Sequence, residues 1–400
     1  MLTVYRNLNN PIVRKVFFVC TLLVLSTFSA KAHGSDTSMI NQLIKEIAAE
    51  QMPARGDFVD GMFYSYRKFA GYPQKTTPDE NVFFTTILSF ALKNMLPQLN
   101  SDNRAACEKI IARAATSYPH FQNKDKLPIY FFWHKGYPVM PHSNIISRTG
   151  KKLAVSEDQD DTVMIFMTSE QSDSSTMLLK QLMDEASNGK RRFTNTTYAK
   201  YKRLPAHTTY FGKNMLSDFD FAVHCNILYF LLEKKLPLNH IDSATLTIVQ
   251  QMIHNREYVS DPTYISPYYV HTPILLFHIA RLMGKFTIPE LEPYKPQLIA
   301  DIKAEQEKST NIMTDIILST SLLRLGGTAP PLPINNLEIF NRSNQQQFVF
   351  YQARAAILFP NPFKRIFLHF SMLQYHYYCP AYNKVLLLEY LVERNKSAHS

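Results

Sequence analysis

The sequence predicts an all-α protein, six helical hairpins closed into an (α/α)6 toroid with inner and outer helix rings. Three observations carry that expectation. Glycine is sparse, at 11 in 400 residues, and alternating β-branched runs are rare, which argues against a sandwich or barrel. Amphipathic helical periods recur along the chain. Between them lie segments that are apolar on nearly every side, and a helix of that kind belongs in the interior of a large protein.

The elements follow in chain order. Arg6, Arg14 and Lys15 precede an uncharged run from Phe17 to Ala30 and the small-residue pattern Ala30-Lys31-Ala32. That is the anatomy of a secretory signal peptide cleaved after Ala32. Residues 1–32 are therefore expected to leave, and residues 33–400 to form one exported domain, periplasmic or secreted. The apolar run of about 14 residues falls short of the roughly 20 that a membrane helix needs. No later run of about 18 apolar residues appears, so no stable membrane span is expected after cleavage. Cys107, Cys225 and Cys379 remain, far apart and odd in number, which speaks against a disulfide framework. The formal charge of +10 includes Arg6, Arg14, Lys15 and Lys31, which depart with the signal. Other basic residues are dispersed apart from a cluster between Gly189 and Arg203, read as a solvated loop; no nucleic-acid partner is expected.

The amphipathic members are "SMINQLIKEIAAEQM", "RAACEKIIARAAT", "STMLLKQLMDEAS", "SATLTIVQQMIH" and "LIADIKAEQEK", each with a polar back. The buried members are "ENVFFTTILSFALKNML", "DTVMIFMTS", "DFAVHCNILYFLL", "YYVHTPILLFHIARLM", "TDIILSTSLLRL" and "NKVLLLEYLV". An open solenoid would make every helix amphipathic because it has no closed centre. The all-apolar set favours a ring. The long connections 118–157 and 190–217 are candidates for cavity walls.

One buried segment opens with Asp158-Gln159-Asp160-Asp161-Thr162. Two accounts compete for it. Acidic residues accept hydrogen bonds from the free N–H groups of a first helical turn and suit its positive dipole end. Asp79 and Ser217-Asp218 are expected to cap their helices in that way. The chemical account is that crowded carboxyls in a poorly hydrated site cannot all ionise, so one proton stays bound.

DxDDT resembles the signature of class II terpenoid cyclases of the squalene–hopene type, members of a toroid superfamily shared with protein prenyltransferases. The resemblance implies that Asp160 is the general acid toward an alkene or epoxide, with Asp158 and Asp161 as supporting carboxylates. A wider stretch, "SYPHFQNKDKLPIYFFWHKGYPVMP" through "SPYYVHTPILLFHIARL", is similar to an exported bacterial branch of toroid proteins. The chain departs from the cyclase pattern in having Trp133 as its single Trp and no QxxxGxW repeat. Asp220, His224 and Cys225 offer the ligand types of the prenyltransferase zinc site at a different spacing. Neither a metal nor a cofactor is expected.

Two further readings stand beside acid catalysis. Trp133, His134, Tyr137 and His142 lie in a loop-like aromatic stretch suited to stacking on a sugar. Asp158 with Asp218 or Asp220 is a candidate carboxylate pair for a glycan lyase or hydrolase. The third reading is a non-catalytic toroid that binds a ligand or partner, with the acidic motif as a cap. In each ligand-handling case a small molecule or glycan is expected in a central cavity.

Overall fold

A computed structural model describes residues 36–56, 58–134, 157–212, 215–368, 370 and 374–399. The expected signal segment, Tyr137 and His142 lie outside the described residues. The first helix, α1, covers residues 36–50 and buries Leu43, Ile44 and Ile47, the stripe its spacing dictates. Next come α2 (Phe83–Met95), α3 (Ser101–Ala115), α4 (Gln159–Thr168) and α5 (Asp173–Glu185). They are followed by α6 (Phe221–Glu233), α7 (His240–His254) and the short α8 (Glu257–Ser260) and α9 (Pro262–Ile265). The longer α10 (Thr272–Lys285), α11 (Lys295–Lys308) and α12 (Ile312–Arg324) succeed these. The short α13 (Leu337–Arg342) and α14 (Phe363–Leu368) and the long α15 (Pro380–His399) complete the helices.

The six segments read as apolar on all sides are α2, α4, α6, α10, α12 and α15. All ten residues of α4 are buried, which is what a helix with no polar back requires. These six touch in chain order: α2 against α4, α4 against α6, α6 against α10, α10 against α12, and α12 against α15. The last of them, α15, packs against the first, α2. Amphipathic helices pack against them: α3 on α2, α7 on α6, α11 on α10 and α12. Ion pairs from Lys384 to Glu46 at 2.8 Å and from Arg394 to Asp36 hold α1 beside α15.

The chain is not all-α. Residues 66–78 and 351–378 build a four-stranded antiparallel sheet in the order β2-β1-β4-β3. Its members are β1 (Tyr66–Phe69), β2 (Tyr72–Pro78), β3 (Tyr351–Arg354) and β4 (Gln374–Tyr378). The strands are short and carry Tyr, Arg, Lys and Gln where a β-branched pattern was sought. What stabilises them is cross-strand aromatic contact, which suits a pleated surface as well as Val or Ile does. Tyr66 stacks on Tyr378 at 5.1 Å, and Phe69 meets Tyr375 at 5.0 Å.

Asp79, expected as a helix cap, does other work. The N-cap of α2 is Val82, without a side-chain bond; Asn81 accepts from the Phe84 N–H at 3.2 Å instead. Asp79 forms a buried ion pair with Arg67 of β1 and accepts from the Trp133 indole at 3.0 Å and the Asn81 amide at 2.8 Å. This carboxylate ties the sheet to the following helix. Breaking a buried ion pair by removing one partner is strongly destabilising, so Asp79→Ala should cost about 3–5 kcal/mol of unfolding free energy. Urea denaturation measures that loss, and an unchanged midpoint would show the pair to be dispensable.

Candidate functional site

The N-terminus of α4 is clamped by extended chain on both sides. The Asp158 N–H donates to the Tyr130 carbonyl at 2.9 Å, and Gln159 N–H to that of Thr209 at 2.8 Å. Asp158 bridges Tyr130 on one flank and Tyr210 on the other. Asp158 is the N-cap, its Oδ1 accepting from the Asp160 N–H at 2.7 Å. Capping therefore accounts for Asp158.

Asp160 is different. Its Oδ1 accepts from the Asn226 amide of α6 at 2.7 Å, and its Oδ2 accepts from the Tyr269 hydroxyl. Behind Asn226 stands Arg281 of α10, whose Nη2 donates to the Asn226 carbonyl at 2.5 Å. Arg281 is buried, with its guanidinium over the rings of Phe90 and Phe277 at 4.9 and 5.7 Å. Asp161 is 1% exposed, and neither of its oxygens has a hydrogen-bond partner among the described residues. The Gln159 amide shares that condition.

Burial raises the pKa of all three carboxyls. Asp161 is held well above the usual range by burial and then by Asp158 and Asp160. Asp158 is also held well above it, by burial and then Asp160. For Asp160 the upward push of burial is opposed by Tyr269, Asn226 and Arg281.

Around this turn is an aromatic cluster centred on Tyr351 of β3. Phe83 lies 4.9 Å from its ring, Phe132 5.4 Å, Tyr269 5.7 Å and Tyr268 6.0 Å. The Tyr210 and Tyr268 hydroxyls are 2.5 Å apart. Burial holds the Tyr351 phenol well above its ordinary pKa, with Tyr210, Tyr377, Asp158 and Asp161 adding to the rise. The sheet therefore delivers an aromatic wall to the acidic turn.

The remaining candidates are placed elsewhere. Trp133 is 8% exposed and bonded to Asp79, so its ring belongs to the fold. His134 is half-buried, its ring 5.5 Å from His120 and 5.8 Å from Phe121. Asp218 does not cap α6. It pairs with the buried Lys364 ammonium at 3.0 Å and accepts from Thr196 at 2.6 Å. The cap of α6 is Asp220, which accepts from the Ala222 and Val223 N–H groups at 2.9 and 3.2 Å and from the Ser266 hydroxyl at 2.6 Å. Cys225 is buried, its pKa raised by that burial, and His224 is pushed down to about 4, again chiefly by burial. Cys107, Cys225 and Cys379 are all free thiols.

Sequence reasoning missed Asn226, Tyr269 and Arg281. For Asn226 and Arg281 the available signal was a polar residue on a helix otherwise apolar all round; Tyr269 lies in the chain entering α10 and gave none. It also missed Asp184, His207 and Asp242, whose ligand atoms lie within 4.8 Å of one another. Lys180 Nζ stands 2.6 Å from Asp184 and 3.1 Å from Asp242, so these carboxylates already share a cation. Compared with known proteins, the chain matches no protein-family model, no curated protein and no solved structure.

Asp220 carries a pH signature. Burial lifts its pKa from 3.8 to about 7. Between those values the folded chain keeps a proton that the unfolded chain releases. The group's contribution to stability is thus fully present below the unfolded pKa and is lost as pH rises through about 7. Asp220→Asn keeps a capping oxygen and removes the titration. The wild-type advantage over this variant should fall with rising pH by up to about 1.4 kcal/mol per unit. Urea midpoints across that window measure it, and parallel curves would contradict it.

Proposed function

We propose that the protein is an exported acid catalyst acting on an apolar small molecule, with the circuit α2, α4, α6, α10, α12 and α15 as the inner ring of an (α/α)6 toroid. Its substrate class is an alkene or epoxide, as the resemblance of DxDDT to class II terpenoid cyclases implies. One observation carries this reading: three buried carboxyls occupy one turn, Asp160 is bonded to Tyr269, whose ring packs with those of Phe83 and Tyr351, and capping explains only Asp158. Carboxyls so crowded and so poorly hydrated retain a proton at neutral pH. Aromatic faces next to that proton suit a passing cation, since the ring quadrupole attracts positive charge.

A non-catalytic, ligand-binding toroid is the second reading, favoured by the direct cap that Asp158 makes and by the full engagement of Asp160. The glycan reading has less to draw on, because the Trp133 indole and the Asp218 carboxylate are engaged inside the fold.

Incubation with isoprenoid alkenes in D2O, where the acid's deuteron is added to carbon and retained, separates these. Acid catalysis places one deuterium in each product molecule. The Asp160→Asn/Asp161→Asn double variant should lose about 10²–10⁴-fold in turnover, the range of a general acid's contribution. Absence of any deuterated product across the panel favours the binding reading.

A further inference from the structure

We infer that the exchangeable proton of this cluster sits on Asp161, and that Asp160 is a fixed carboxylate serving as counter-charge to the buried Arg281. The location of the proton is independent of the catalytic reading; its role as the donated proton rests on that reading. The assignment differs from the one that resemblance to cyclases implies, in which Asp160 is the acid.

One line of hydrogen bonds fixes the charge state of Asp160. A guanidinium can only donate. Arg281 therefore fixes the Asn226 amide with its carbonyl toward α10, and the NH₂ group must point at Asp160. Asp160 accepts there at 2.7 Å and accepts again, on its other oxygen, from Tyr269. Burial holds the Tyr269 phenol well above its ordinary pKa, so it stays a donor. Both Asp160 oxygens thus receive protons from neutral groups, the condition in which a carboxylate is best kept charged. Arg281 has no carboxylate within ion-pair distance among the described residues, and Asp160, one amide away, is the carboxylate that its hydrogen-bond line reaches.

Asp161 has the opposite surroundings. It is the neighbour in sequence, 1% exposed, with both oxygens unpartnered among the described residues. A charge left in that position loses its hydration and gains no hydrogen bond in return. Asp158 is better served, since it accepts from the backbone at the helix cap. Of the three, Asp161 gains most by remaining neutral.

The transfer balances without a further reagent. The π pair of an alkene, or a lone pair of an epoxide oxygen, forms the new bond to hydrogen as the Asp161 O–H bond breaks. The substrate becomes a cation and Asp161 a carboxylate. Loss of a proton from the cation back to the site restores the acid.

Infrared spectroscopy at neutral pH, with Asp220→Asn in every chain compared so that the carboxyl titrating at about 7 adds no band, reads the proton without any substrate. The carbonyl stretch of a neutral carboxylic acid, identified by its shift in D2O, should be present in this parent chain. Asp161→Asn should abolish it, and Asp160→Asn and Asp158→Asn should retain it. A band that survives Asp161→Asn, or none in the parent chain, overturns the assignment. Arg281→Met is a second test, useful if Asp161→Asn fails to fold. Removing the guanidinium should add a second neutral-carboxyl band as Asp160 takes up a proton, and an unchanged spectrum overturns the inference. If the bands fall as expected but no deuterium enters any product, the proton assignment stands and the acid-catalysis reading fails.

Discussion

A buried arginine with no carboxylate in contact among the described residues is the constraint from which the rest of this centre follows. Arg281 projects from α10 into apolar surroundings and donates to Asn226 of α6, which donates to Asp160 of α4. The charge is compensated across an amide, and the arrangement pins three neighbouring helices at their facing sides. Slippage of any one of them would leave a buried donor or acceptor unmade, at a cost of about 1–3 kcal/mol or more where charge is involved. The identity of each residue is correspondingly narrow. An aspartate-to-glutamate exchange lengthens the line, and an arginine-to-lysine exchange loses the planar fork that reaches past the aromatic rings.

The small sheet matters for the same region. Its strands come from the two ends of the described chain, and their pairing places Tyr351 between Phe83 and Tyr269. The Tyr268 carbonyl accepts from the Gln352 N–H at 3.1 Å, so β3 is also fastened to the chain entering α10. On the other side, Asp79 holds Arg67 of β1 and the Trp133 indole, and reaches α2 through Asn81. Aromatic packing and one buried ion pair therefore fix the wall that faces the acidic turn. The wall and the proton-holding group are set by separate parts of the chain.

Much of the helical plan was legible because it depends on local periodicity. A segment such as "DFAVHCNILYFLL" leaves no polar face, and α6 is buried as that pattern demands. The sheet was not legible, because strands of four to seven residues rich in Tyr and Lys carry no period-two hydrophobic signal. Their stability arises between residues about three hundred positions apart, which no window can read. The acidic turn was located correctly at a buried helix start, yet the neighbours that distinguish its carboxyls lie on two other helices. Asp218 and Asp220 illustrate the limit well. Both precede α6, and only the approach of Lys364 from a distant short helix decides which one caps and which one pairs.

The division of roles in this centre requires that Asp160 and Arg281 compensate one another. A double-mutant cycle on unfolding free energy, with Asp160→Asn and Arg281→Met made singly and together, reads that directly. Because each single change strands the other's charge, the combined variant should be less destabilised than the sum of the singles by about 1–3 kcal/mol. Strict additivity would mean that the two groups do not sense each other, and the division of roles among the three carboxyls would lose its basis.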